Sequence, residues 1–314
     1  MRLCTFQFKG STPTFGVQIG RRLLRVEAAA RFFGLRPAHI AQLTSTEVYF
    51  ANLATSEKIL SKLVDKAEDN TRPLGKDAPD GMPILIASDE VTFLPPIRRP
   101  GKFLCIGLNY KDHCEEQKKE LPKVPIVFNK FATSLTGHGA EIPLPLDVDT
   151  AVDYEAELGV VIGRTATRVS KKSAARCIGG FVIVNDVSLR TIQKTEAQWA
   201  RAKGFDGGGP FGPFIVTPDE VPDPHDLDIS CVVNGKTLQK SNTSNLVFQI
   251  PELISFISQL VTLEPGDVIS TGTPGGVGAY RTPTAFLEDG DTVEVRIESL
   301  GVLRNTCVKR RLDD

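Results

Sequence analysis

From residue 101 onward the chain consists of short apolar runs, each closed within a few residues by Gly, Pro, Asp or Asn, a pattern that excludes any fold resting on long helices. Runs at 157–162, 180–184, 214–216, 229–233, 268–270 and 292–297 read as strands, as does the start of KFLCIGLNY at 102–110. Helical character is confined to 110–120, where Lys, Glu and Gln dominate and Pro122 stops the segment, and to 171–177, 188–202 and 251–260. The class implied is α+β and β-rich, a mixed sandwich or barrel-like domain with few helices.

The first 70 residues follow a different pattern. Segments 3–8 and 15–26 alternate like short strands about a turn at Gly20, and 46–69 carries Val48, Leu53, Ile59, Leu60, Leu63 and Val64 at helical spacing. Pro73, Gly75, Pro79, Gly81 and Pro83 then punctuate the chain, and Pro95, Pro96 and Pro100 follow the strand-like VTFL. The predicted organisation is a small N-terminal α/β module at 1–70, a linker and first strand at 71–100, and the main domain at 101–314, as 314 residues allow.

Lys plus Arg number 37 against 38 Asp plus Glu, a net charge of −1, so no general attraction to nucleic acid or to an anionic membrane is expected. No apolar run approaches the roughly 20 residues of a membrane helix. The opening MRLCTFQF enters a strand pattern without the marks of a secretory signal, which favours a cytosolic setting, with the mitochondrial matrix as the alternative. Cys4, Cys105, Cys114, Cys177, Cys231 and Cys307 lie far apart with no C-x-x-C pair, so they read as reduced thiols rather than a zinc or disulfide framework.

The acidic run Asp153-Tyr154-Glu155-Ala156-Glu157 leads directly into the apolar LGVVIG. On a strand, alternate side chains share a face, so Glu155 and Glu157 project together with Cα atoms roughly 6.5–7 Å apart. Carboxylates so placed close on one cation, and burying them is costly unless they are paired or metal-bound; a solvated strand end is the other reading. Asp186 ends the strand-like GGFVIVNDVS, either as a ligand at a strand end or as a cap for the segment that follows. Hard oxygen donors of this kind select Mg²⁺, Mn²⁺ or Ca²⁺ over zinc.

His113 and Glu116 are neighbours on a helix, where the carboxylate orients an imidazole that moves a proton, unless both are ordinary exposed polar groups. Arg190, Gln193 and Lys203 form a polar string after Asp186, suited to a carboxylate-bearing substrate or to an exposed helix. His39, His138 and His225 have no comparable company and read as structural. The Gly-rich segment 270–278 offers backbone N–H groups and hydroxyls to cradle a substrate carboxylate, but lacks the order of a P-loop or a dinucleotide fingerprint.

In this order the motifs resemble those of the fumarylacetoacetate hydrolase family: G-x-N-Y-x-x-H-x-x-E at 107–116, E-x-E at 155–157, N-D-V-S-x-R-x-x-Q at 185–193, K-G-F-D at 203–206 and T-G-T-P-x-G-V-G at 271–278. The resemblance implies a mixed β-sandwich roll and a homodimer. It implies a metal site of Glu155, Glu157 and Asp186 holding Mg²⁺ or Mn²⁺, and a His113–Glu116 dyad on a short helix that orders over the substrate. Lys203 joins the dyad as a catalytic residue, and Arg190, Gln193, Thr273, Gly107 and Tyr110 are implied substrate contacts.

Across residues 90–308 the resemblance extends to a subgroup of oxaloacetate keto-enol tautomerases. A small 2-oxo acid chelating the ion through its carboxylate and 2-oxo oxygen reaches an enolate common to tautomerisation, acylpyruvate hydrolysis and oxaloacetate decarboxylation. Oxaloacetate tautomerisation is the expected activity, with C–C hydrolysis or decarboxylation second. A silent binding protein on the family scaffold is the non-enzymatic alternative, disfavoured by so many charges at one pocket. Gly207, Gly208 and Gly209 stand where relatives carry bulkier residues, which predicts a freer loop and a wider pocket.

Overall fold

The computed structural model describes residues 1–69, 78 and 80–310 and builds them on a 12-stranded mixed sheet. Its path runs Leu85–Ala87, Arg22–Arg25, Thr14–Ile19, Arg2–Phe8, Gly209–Val216, Ile178–Asn185, Ala156–Ile162, Val268–Ser270, Phe103–Gly107 and Ile126–Asn129. A five-stranded sheet, ordered Lys236–Asn242, Asp228–Val233, Thr292–Ile297, Gly301–Lys309 and Glu141–Leu144, covers one face. The expected strand-rich architecture with a small N-terminal module is present.

Period-2 alternation decides what each face of the large sheet buries. Leu158, Val160 and Ile162, with Phe181 and Ile183 of the neighbouring strand, share one core with Ile229, Val293, Val295 and Leu303 of the second sheet. Their alternates Val161, Val182 and Val184 pack on the other side with Leu3, Val17, Tyr49, Phe50 and Leu60. Each such side chain contributes about 1.5–3 kcal/mol by leaving water. The N-terminal strands therefore extend the large sheet, Leu3 pairing with Ile215, and share a core with residues beyond 100. Most of the punctuated stretch expected as a linker, residues 71–77 and 79, lies outside the described residues.

Several helices are shorter than their sequence pattern predicts. Segment 46–69 divides at Asn52 into Thr46–Ala51, capped by Ser45 accepting the Val48 N–H, and Leu53–Glu68. Segment 188–202 is not one helix: Ser188–Leu189 pairs with Val152–Asp153, and only Arg190–Thr195 and Ala200–Lys203 are helical. The Asp149 carboxylate starts the first of these by accepting the N–H groups of Thr191 and Ile192 at 2.9 and 3.1 Å. Segment 110–120 is helical only over Lys111–Glu116, because Lys118 turns to φ +53° and Lys119 N–H closes on the Cys114 carbonyl. All six cysteines are buried and free, and no helix among the described residues is long and apolar enough to cross a membrane.

Strand direction gathers the motifs at one end of the sheet. Phe103–Gly107 and Val268–Ser270 run parallel, so the segments after Gly107 and Ser270 emerge side by side. Ala156–Ile162 runs antiparallel to Val268–Ser270 and starts at that end, while Ile178–Asn185 runs antiparallel to Ala156–Ile162 and finishes there.

Candidate active site

The register that pairs Ala156 with Asn185 carries one residue further, where Asp186 N–H donates to the Glu155 carbonyl at 2.9 Å. Glu155 and Asp186 thus stand opposite each other and Glu157 lies two residues along, all on the face that carries Val161, Val182 and Val184. The three buried carboxylates bring oxygens within 4.8 Å of one another. Toward the middle of the strands the face is apolar; at their ends it becomes acidic.

Each carboxylate is held by neighbouring donors. Glu157 Oε2 accepts from the Ser270 hydroxyl at 2.5 Å and from Gly272 N–H at 3.0 Å. Lys203 Nζ donates to Glu155 Oε2 at 2.6 Å and Asp186 Oδ2 at 2.9 Å. Lys130 Nζ donates to Asp186 Oδ1 at 2.7 Å, to the Val187 carbonyl and to the Lys203 carbonyl. Arg190 Nη2 forms an ion pair with Glu155 Oε1 at 2.7 Å without hydrogen-bond alignment, while its Nε donates to Asp153 Oδ2 at 2.8 Å and its Nη1 to Gln193 Oε1 at 2.9 Å.

These contacts divide the carboxylates electrostatically. Burial alone would raise Glu155, but the Lys203 ammonium, then the Arg190 guanidinium, outweigh it and lower the carboxyl to about 2. Glu157 is pushed well above the ordinary carboxylate range, first by burial and then by the charges of Asp186 and Glu155. Three buried carboxylates on one face are an all-oxygen donor set with a deficit of positive charge at Glu157, and a hard divalent cation fits both properties.

His113 stands on the helix Lys111–Glu116, buried and flanked at both ring nitrogens. Nδ1 lies 2.6 Å from Glu116 Oε1 and Nε2 lies 2.7 Å from Gln117 Nε2. With the Gln117 amide donating to Nε2, the imidazole is neutral and donates its Nδ1–H to Glu116. The other Glu116 oxygen accepts the Gly276 N–H at 2.7 Å, and Asp112 accepts from Gly275 N–H at 3.2 Å and from the Ser241 hydroxyl at 2.5 Å.

The Gly-rich loop does cradle carboxylates, but they belong to the protein. Its N–H groups go to Glu157 from Gly272, to Asp112 from Gly275, to Glu116 from Gly276, and to Asp153 from Gly278 and Ala279. One loop therefore orients a carboxylate of the acidic cluster, the dyad acid and the anchor of Arg190. Gly276 needs its φ of +100° and its bare Cα, since a Cβ there would meet the Leu238 carbonyl at 2.4 Å.

A cavity of about 230 Å³ joins the parts, lined by His113, Glu155, Glu157, Arg190, Gln193, Lys203, Thr273 and Gly107 among the expected residues. It is also lined by Ile106, Leu108, Gln117, Lys119, Phe128, Lys194, Trp199 and Tyr280, none of which the motifs had singled out. Glu116 and Asp186 support it from behind the wall. Thr273 Oγ1 accepts from Gln239 Nε2 at 2.8 Å, so its own proton is free to face the cavity. Gly107 leaves room for Trp199, whose ring carbon would lie 2.9 Å from a Cβ at that position.

Two expectations require correction. Tyr110 is fully buried in the core, bridged to Leu246, and takes no part in the cavity wall, because the chain turns inward after Leu108 at φ +54°. The glycines at 207–209 widen nothing: a Cβ at Gly207 would strike Pro143 at 2.5 Å, at Gly208 the Phe205 ring at 2.4 Å, and at Gly209 Lys130 Cε at 2.7 Å. They are bare because the chain is closely packed there, and Gly209 admits the buried lysine that holds Asp186. Lys130 and Asp112 escaped the sequence reading, since a lone Lys or Asp carries no spacing signal, and Asp153, although it opens the acidic run, had no role assigned to it.

Residues 102–308 match the family model described as fumarylacetoacetate (FAA) hydrolase C-terminal. The chain is 44% identical over 256 residues, 81% of each protein, to "Oxaloacetate tautomerase FAHD2A, mitochondrial" of Bos taurus. Its fold superposes with a TM-score of 0.79 and 29% identity on fumarylacetoacetate hydrolase from Exiguobacterium antarcticum, covering 99% of this chain and 100% of that one. It superposes with a TM-score of 0.75 and 25% identity on maleylpyruvate hydrolase from Sphingobium sp. SYK-6 in complex with manganese(II) ion and pyruvate, covering 98% and 99%. With two-thirds of its length inside the family model and its acidic cluster intact, this chain belongs to the fumarylacetoacetate hydrolase family of metal-dependent enzymes.

Proposed function

We propose that the chain is an oxaloacetate keto-enol tautomerase using Mg²⁺ or Mn²⁺ held by Glu155, Glu157 and Asp186. The observation that carries this reading is His113, buttressed by Glu116, in the wall of the cavity that Glu155 and Glu157 also line. Bound there, the divalent ion supplies Lewis-acid stabilisation of negative charge on the 2-oxo oxygen. His113 Nε2, once Gln117 yields it, takes a proton from C3 and the same proton returns to the 2-oxo oxygen, so the keto form becomes the enol with no bond to carbon broken except C–H. Glu116 stabilises the imidazolium that exists between the two transfers. Gln193, its Oε1 held by Arg190, offers its N–H₂ to the substrate carboxylate, and Thr273 offers its hydroxyl. Lys203 keeps Glu155 ionised and holds both Glu155 and Asp186 in place, and Arg190 acts chiefly through Glu155 and Gln193.

The name of the 44%-identical bovine relative supports tautomerisation, and the compartment in that name supports the mitochondrial alternative to a cytosolic setting. Likeness to a maleylpyruvate hydrolase supports C–C hydrolysis as the second reading, with His113 activating water instead of removing the C3 proton. A homodimer is supported by exposed Leu121, Val124, Ile126 and Val127 on and beside Ile126–Asn129, the last strand on the sheet's path. The test is an ultraviolet assay with Mg²⁺ following enol-oxaloacetate decay, pyruvate release and loss of an acylpyruvate. Fast enol decay with little pyruvate is expected; efficient acylpyruvate cleavage with slow enol decay would overturn the proposal.

A further inference from the structure

Every cation deep in the cavity is already committed to the protein. Arg190 is spent on Asp153, Gln193 and Glu155, and Lys203 on Glu155 and Asp186. Among the described residues, the only other cationic side chains in the lining are Lys119 and Lys194, and neither ammonium has an ion-pair or hydrogen-bond partner. Both are exposed, where the cavity opens to solvent.

They arrive from separate elements. Lys119 follows the left-handed Lys118 that ends the dyad helix, its N–H closing on the Cys114 carbonyl at 3.0 Å, a turn that brings it to the cavity that His113 also lines. Lys194 is on the helix Arg190–Thr195, next to Gln193. Much of the remaining wall is apolar, formed by Leu108, Phe128 and Trp199. A second anionic group on a substrate would be unfavourable against that wall and has unpartnered counter-charges only at these two lysines.

We propose that Lys119 and Lys194 receive the distal carboxylate of the substrate, so that the site selects 2-oxo dicarboxylates over 2-oxo monocarboxylates. The inference rests on reading the site as that of a 2-oxo acid enzyme. The first carboxylate and the 2-oxo group lie at the acidic cluster, and the second carboxylate, carried on the far side of the reacting carbon, points to the mouth. Pairs this exposed are individually weak and screened by salt, so the effect is one of selectivity rather than turnover.

The test compares enol-oxaloacetate with the enol of its 4-monomethyl ester, which has the same chain but a neutral end, on wild type, Lys119→Met, Lys194→Met and the double variant. In the double variant the preference in kcat/KM for diacid over monoester falls about tenfold, through KM rather than kcat, and the decline of that preference with added salt flattens. Replacing both by Arg restores most of the preference. An unchanged preference, or equal losses on both substrates, overturns the inference while leaving the 2-oxo acid reading in place. Wild type inert on both substrates, with Mn²⁺ shown bound, overturns that reading and this inference with it.

Discussion

The carboxylate cluster and the His113 helix share one cavity but are held in different ways. Glu155, Glu157 and Asp186 are positioned by the register of central strands buried on both faces, and shifting them would require breaking the sheet. The helix Lys111–Glu116 spans six residues, too short to be stable alone, and is fastened by Asp112 on Gly275 and Ser241 and by Glu116 on Gly276. The acidic half of the site is thus fixed by backbone, and the His113 half by a few side-chain contacts.

If that contrast is right, damage to the cluster removes metal and activity together, while damage to the helix separates them. Glu157→Gln keeps an oxygen for Ser270 and Gly272 but loses the charge, and Mn²⁺ affinity measured by calorimetry falls at least about 100-fold, with turnover following. In wild type, Mn²⁺ at 100 times its Kd raises the unfolding free energy by about 2.7 kcal/mol in urea titrations, a gain the variant lacks. Retained affinity in Glu157→Gln would remove it from the ligand set. Lys130→Met deprives Asp186 of a buried partner, so Mn²⁺ affinity drops about 10–100-fold and the folded state loses about 3 kcal/mol or more. A variant as stable and as tight as wild type would show that Lys203 alone suffices to hold Asp186.

Asp112→Ala has the smallest expected effect and sharpens the contrast most. It frees one of the two fastenings, and kcat falls about five- to tenfold with Mn²⁺ affinity unchanged. Loss of metal affinity in this variant would mean that the helix and the cluster are not independent.

The sequence made the cluster legible because its signal is periodic: Glu155 and Glu157 differ by two in a strand pattern, and Asp186 ends the strand-like GGFVIVNDVS. The strand at 292–297 was readable for the same reason, its alternation having one buried face, whereas 268–270, buried throughout, was readable as a short apolar run closed by turn residues. Gly301–Lys309 escaped because apolar and polar residues do not follow its two faces, Val302 being exposed and Asn305 buried. The long helix expected over 188–202 failed because Asp149, some forty residues earlier in the chain, caps a new start at Arg190. Lys130 and Asp112 were invisible for a similar reason, since their roles depend on which distant residues the sheet brings to them. The Gly-rich loop was recognised as an anion cradle, but only the fold reveals that its anions are side chains of the protein itself.

The most direct measurement is made on His113→Ala: Mn²⁺ binding by calorimetry and, on the same preparation, decay of enol-oxaloacetate. Affinity equal to wild type with turnover reduced about 10²–10⁴-fold is the expected result, with the ion held by the sheet and the proton moved by the helix. Wild-type turnover in that variant, or loss of the metal with the imidazole, would contradict it.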